Sequence, residues 1–143
     1  MRREFRECLN RNKLARFPSG SKLVKKEMRS ALDDLDDAKL GLAHGRSKWS
    51  TIQAYYSMYH GARALLFSRG YRERSHYCLQ IALRELFVDQ MILDSSFVDA
   101  FSGAMRLREN ADYRSDFSKE GAALLVENAE SFLVKVKQIL SIP

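Results

Sequence analysis

Arg69 and His76 are the two residues of this chain whose types and spacing best suit chemistry, and they flank one short bend with six residues between them. An arginine carries five fixed donors and a permanent charge, so it clamps phosphate oxygens well. A histidine titrates near neutrality and can take the proton from a ribose 2′-hydroxyl. The resulting 2′-oxyanion attacks the adjacent phosphorus, a reaction that needs no metal. Ser75 is a good helix cap, which places His76 in the first turn of the helix that follows. The positive end of the helix dipole disfavours imidazolium there and favours the neutral base. Backbone N–H groups of the same turn can receive a phosphate. Arg72 and Arg74 in the bend, with Arg108 further along the chain, widen the cationic surface to which RNA or a nucleotide would bind. The same arginines also read as a solvated basic loop.

Other constellations carry less. Tyr55 and Tyr59 share one helical face, as do Tyr56 and His60. Aromatic rings at such positions stack on bases, or serve as core or interface with their hydroxyls bonded at the edge. His60 beside Arg63 fits a packed, hydrogen-bonded group. Asp33, Asp34, Asp36 and Asp37 offer hard oxygen ligands but no further ligand, and fit the wet face of a helix. Three isolated histidines and two isolated cysteines give no zinc pattern. No metal and no cofactor is expected. No Gly-rich phosphate loop, nucleophile elbow or dinucleotide fingerprint is present. The segment RLRENADYR, Arg106 to Arg114, combines charges and polar groups as a polar clasp, with Arg108 able to line a phosphate groove.

These residues need a scaffold. The chain has 143 residues, 45% of them hydrophobic, which is enough for one buried core. Its net charge is +6, compatible with a phosphate-bearing partner. Gly and Pro number only 7 and 2, and no window alternates polar and apolar residues for long. The expected fold class is therefore all-α. Val24, Met28, Ala31, Leu35, Ala38 and Leu42 step by four and three along one helix, which stops near Gly45. A second runs through the tyrosines to Gly70. Ser75 opens a third segment, Asp94 to Ser96 punctuate before a fourth, and the last starts near Ser118. Arg3 to Arg16 suggests a short basic helix ahead of a break at Pro18 to Ser21. Short connections imply antiparallel neighbours. The expectation is an up-and-down bundle of four main helices plus short extra ones. It forms one domain over residues 1–143, with 1–18 as the basic N-terminal helix and break and 20–141 as the bundle core. Cys8 and Cys78, read as two lone thiols, fit a reducing cytosol, so a cytoplasmic location is expected. The charged start has no apolar run behind it, and no apolar run is long enough for a membrane span.

The centre of the chain resembles the HEPN domain family. Tyr55 to His60, YYSMYH, is similar to that family's YYAMFH-type centre and is followed by Ala62 to Leu66, ARALL. Gly70 and Ser75-His76 fall where the family has its Gly and its Ser/Thr-His. Arg108 to Tyr113 matches its Arg-x-x-Ala-Asp-Tyr pattern. The resemblance runs from about Leu23 to Leu140. It implies a helical bundle that forms a homodimer, often beside a nucleotidyltransferase-type partner protein. In toxin members an Arg and a His with four to six residues between them form an RNase site shared by two subunits, a spacing that Arg69 and His76 meet at its upper limit. Carried to this chain, Arg69 holds the scissile phosphate and His76 is the base. The alternative is a non-catalytic nucleotide- or RNA-binding module.

Overall fold

The computed structural model describes residues Met1–Pro143 and is all-α except for one two-stranded ribbon. Six α-helices appear in chain order: α1 Arg3–Asn10, α2 Val24–Ala43, α3 Ser47–Ser68, α4 His76–Leu83, α5 Ser95–Arg114 and α6 Lys119–Leu140. A 3-10 turn, Pro18–Leu23, leads into α2, and a π-helical turn, Arg84–Val88, continues α4. The strands are β1 Leu14–Arg16 and β2 Tyr71–Glu73. Four long helices with short companions were expected from the sequence, and this is that architecture.

Helix α3 is the central rod. Its buried residues run most of the way round it, from Ile52 and Tyr55 through Met58 and Ala62 to Leu65 and Phe67. A helix apolar over most of its surface must be packed over most of it, and its remaining stripe, Tyr56, Tyr59, His60 and Arg63, is half-buried. It lies against α2, α5 and α6. Gly61 marks the closest approach to α6: a Cβ there would come within 2.6 Å of Leu133 Cδ2. Three residues join α2 to α3, so the two run antiparallel. Ser50 Oγ donates to the Ala38 carbonyl across that pair, 2.8 Å. Asp94 and Ser118 cap α5 and α6 by accepting backbone N–H bonds from Ser96 and Gly121.

Two expectations are corrected. The N-terminal helix ends at Asn10 rather than near Arg16, because Asn12 adopts a left-handed backbone and the chain turns into β1. Strand β1 then pairs antiparallel with β2 in the register Leu14↔Glu73, Ala15↔Arg72, Arg16↔Tyr71. Three residues per strand are too few to leave a period-two signature in the sequence. The second correction concerns the cysteines, which are joined as a disulfide rather than free. The ribbon draws α1 onto the start of α4 and brings together two sulfurs that lie 70 positions apart. A compartment inferred from lone thiols loses that basis. No helix is long and apolar enough to cross a membrane.

Candidate functional site

Polar side chains meet where the middle of α3, strand β2, the start of α4 and the end of α5 come together. Gly70 ends the α3 turn with φ +77°, a conformation costly for any residue with a Cβ, and lets the chain reverse into β2. Ser75 caps α4, its Oγ accepting from the Cys78 N–H at 3.1 Å. His76 is the first residue of α4 and half-buried, as the cap position requires.

The imidazole lies in an aromatic stack. Its ring is near-parallel to those of Tyr59 (centroids 5.0 Å apart, 18°) and Tyr55 (5.8 Å, 8°). The Tyr55 hydroxyl is hydrogen-bonded to His76 Nδ1. Burial pushes the His76 pKa below its ordinary value. The Arg108 charge acts in the same direction, and Glu73 and Glu109 oppose it. The imidazole is therefore neutral at pH 7, as its helix-start position suggests.

The cation over this stack is Arg108. Its guanidinium lies 5.3 Å from the Tyr56 ring centroid and 5.8 Å from that of Tyr55. Arg108 Nη2 donates to the Tyr56 hydroxyl at 2.8 Å and lies 3.3 Å from Asp112 Oδ2, one turn along α5. Its Nε is buried with no hydrogen-bond partner. That N–H is closed to solvent, so what the platform offers an anion is the permanent guanidinium charge close to a neutral imidazole.

Arg69 is placed differently. Its guanidinium sits 4.6 Å over the Phe87 ring, and no hydrogen bond joins it to His76. Arg72 lies 5.3 Å over the Phe17 ring. Arg69, Arg72 and Arg74 are all exposed, a basic rim on the bend. Of the five residues marked out by the sequence, then, Arg108 and His76 share the aromatic platform, while the three bend arginines stand outside it.

Beneath the platform runs a second polar layer that the sequence did not reveal. Glu73, buried on β2, accepts from the Tyr59 hydroxyl (2.7 Å) and from Arg63 Nε (3.2 Å). Arg63 reaches on to Glu27, 3.5 Å away, and His60 Nδ1 donates to Glu27 at 2.7 Å. Burial disfavours the Glu27 carboxylate, but the His60 bond and the Arg63 charge outweigh it and hold the pKa below the usual range. Asp34, 3.7 Å from His60 Nε2, is the one member of the Asp33–Asp37 run drawn into this layer. His60 is thus a packed, hydrogen-bonded group. The signal that was available was a Glu on an otherwise apolar helix seam: Glu27 immediately precedes Met28.

Comparison with known proteins fits this arrangement. Residues 24–141 match the HEPN domain, a stretch that contains every residue of the platform. A protein of Methanocaldococcus jannaschii named as a candidate toxin is 25% identical over 111 residues, covering 77% of this chain and 83% of its own. A UPF0332 protein of Thermotoga maritima is 25% identical, covering 83% of this chain and 92% of its own length. Another, of Archaeoglobus fulgidus, is 28% identical over 80% of this chain and 92% of its own. The match over nearly the whole bundle settles the family: this chain belongs to the HEPN domain family.

Proposed function

We propose that this chain binds RNA at the Arg108–His76 platform and cleaves it without a metal, as the toxin component of a toxin–antitoxin pair. The observation that carries the proposal is the placement of a permanent cation and a neutral imidazole against one shared ring, that of Tyr55, in a chain with net charge +6. The candidate-toxin name of the Methanocaldococcus relative supports the biological setting. In the reaction, the 2′-oxygen of a ribose attacks its own 3′-phosphorus and the P–O5′ bond breaks. The products are a cyclic 2′,3′-phosphate and a 5′-hydroxyl, with solvent water taking the proton from the 2′-oxygen and returning one to O5′. Arg108 and His76 stabilise the negative charge that gathers on the phosphorane oxygens. Tyr56, half-buried at the edge of the platform, offers its ring to the bases. Arg69, Arg72 and Arg74 attract the backbone from the rim. Two copies pair so that their platforms face one groove.

The second reading is a module that holds RNA or a nucleotide, or docks a nucleotidyltransferase-type partner protein, without cutting. What favours it is the Tyr55 hydrogen bond, which occupies His76 Nδ1.

The deciding experiment incubates purified protein with single-stranded RNA in the presence of chelator. Cleavage is expected from the parent and lost in His76→Ala and Arg108→Ala. Arg108→Ala should also weaken RNA binding about 10- to 100-fold, the loss of one charge-assisted contact, and reduce the salt slope by about one unit. Arg69→Ala should change the salt slope similarly but spare most of the cleavage. Binding without cleavage by the parent selects the module. Full cleavage by Arg108→Ala overturns the assignment of the cation.

A further inference from the structure

The hydrogen bond between Tyr55 and His76 determines which imidazole nitrogen meets the ligand. The Tyr55 side chain is 0% exposed, and its hydroxyl makes a single hydrogen bond, to His76 Nδ1. A phenol has one proton to give. Burial pushes its ionisation far above the ordinary value, so the proton stays on the oxygen. Were Nδ1 to carry a hydrogen and donate it, the phenol proton would be left without an acceptor. A buried donor left without an acceptor keeps the full cost of its lost hydration. Were Tyr55 instead to donate to a bare Nδ1, both groups are satisfied. Flipping the ring would exchange the nitrogens only by breaking this bond.

From this geometry we infer that Tyr55 is a positioning residue: its O–H donates to His76 Nδ1, fixes the neutral imidazole as the Nε2–H tautomer, and makes His76 a hydrogen-bond donor to a phosphate oxygen. The base suggested by the Arg69–His76 spacing is thereby replaced by a donor. Nε2–H then faces a phosphate oxygen with the Arg108 guanidinium charge against the same Tyr55 ring, and neither group has to change protonation on binding. The groups that face the imidazole fit this role. Tyr55 and Tyr59 from α3 are neutral, Glu73 from β2 is engaged by Tyr59 and Arg63, and Arg108 and Glu109 from α5 bring opposite charges.

The choice of phosphate as ligand rests on the proposed function, but the tautomer is a property of the free protein and is read without any activity. Nitrogen-15 NMR of the imidazole at pH about 8, above the ordinary histidine titration, is the test. His76 signals are assigned by their loss in His76→Gln. In the parent, Nδ1 is expected to resonate as a bare, hydrogen-bonded nitrogen and Nε2 as a protonated one. Tyr55→Phe keeps the buried ring and should move both signals toward the tautomer average. Tyr59→Phe removes a hydroxyl that bonds Glu73 instead and should leave the tautomer unchanged. Adding a 2′-deoxy oligonucleotide, which cannot be cleaved by this route, should shift the Nε2–H proton. A protonated Nδ1 in the parent overturns the inference. An unmoved Nε2–H with the oligonucleotide bound overturns its ligand half. Absent cleavage with the tautomer intact refutes the ribonuclease alone.

Discussion

Reducing the Cys8–Cys78 disulfide is expected to destabilise the protein by about 4 kcal/mol, mainly through the unfolded chain. The bridge closes a loop of sequence separation 70. In the chain-entropy treatment, a cross-link of that span removes about 15 cal/mol/K from the unfolded ensemble, or about 4 kcal/mol at 25 °C. Little native structure should be lost with it. The N-terminal segment is also held by β1–β2 pairing, by the edge-on packing of Phe5 against Tyr71, and by the Arg2–Asp89 ion pair at 2.6 Å. The assay is urea unfolding of oxidised protein beside protein equilibrated in a dithiol reductant, with free thiols counted to show that the bridge has opened. With an m-value of about 2 kcal/mol/M, the midpoint should fall by about 2 M. The far-ultraviolet circular dichroism of the folded baseline should not change. Coincident midpoints with two titratable thiols would refute the reasoning. So would a loss of helix before the main transition, since that places the effect in the native state.

Glu27→Gln should lower stability by about 2 kcal/mol, because it leaves His60 and Arg63 facing a neutral amide at a largely buried site; a thermal melt down by several degrees checks this. The same carboxylate, with its pKa held below the unfolded value, contributes stability above about pH 4.5 that fades as pH falls through the folded value, and Glu27→Gln should flatten that acid limb. His76, also depressed, favours the neutral form in the folded state, so its contribution is complete above about pH 6.5 and declines as pH drops. Urea midpoints measured from pH 5 to 8, approximately the histidine range, should show that limb in the parent and not in His76→Gln.

Long-range order in the bundle was legible because it is written in helical period and caps. Ser75, Asp94 and Ser118 each cap a helix where a polar residue precedes an apolar stripe, and Gly70 breaks the chain where φ turns positive. His76 and Arg108 were legible as chemistry-bearing residues. Their pairing was not, because it is a tertiary fact: α5 crosses α3 so that Arg108 lies over Tyr55 and Tyr56, 52 positions away from the latter. Spacing in sequence favours Arg69, a near neighbour of His76 along the chain, but α3 turns that side chain onto Phe87. The tyrosines divide in the same way. Their shared face marks them as buried, yet only the folded chain shows that Tyr55 spends its hydroxyl on His76 and Tyr59 spends its own on Glu73. The disulfide and the ribbon escaped for a common reason: each depends on residues 1–16 folding back over the bend, and nothing local announces that contact.

That fold-back gives the N-terminal segment a part in the site although it lies before the family match, which begins at residue 24. The bend between α3 and α4 is braced at four successive points. The Phe17 N–H donates to the Gly70 carbonyl at 2.6 Å, β1 pairs along β2, the Arg74 N–H donates to the Lys13 carbonyl at 2.8 Å, and Cys8 is bonded to Cys78. His76 stands between the last two. Glu73, which anchors Tyr59 and Arg63 below the platform, is the ribbon partner of Leu14. A three-residue strand cannot hold its own register, and β2 has no other strand beside it. Pre-ordering this bend would lower the entropy cost of the RNA binding proposed for the platform. The arrangement of His76 against the tyrosines is therefore specified in two parts: the HEPN bundle supplies the residues, and the first 17 residues hold still the loop that delivers them.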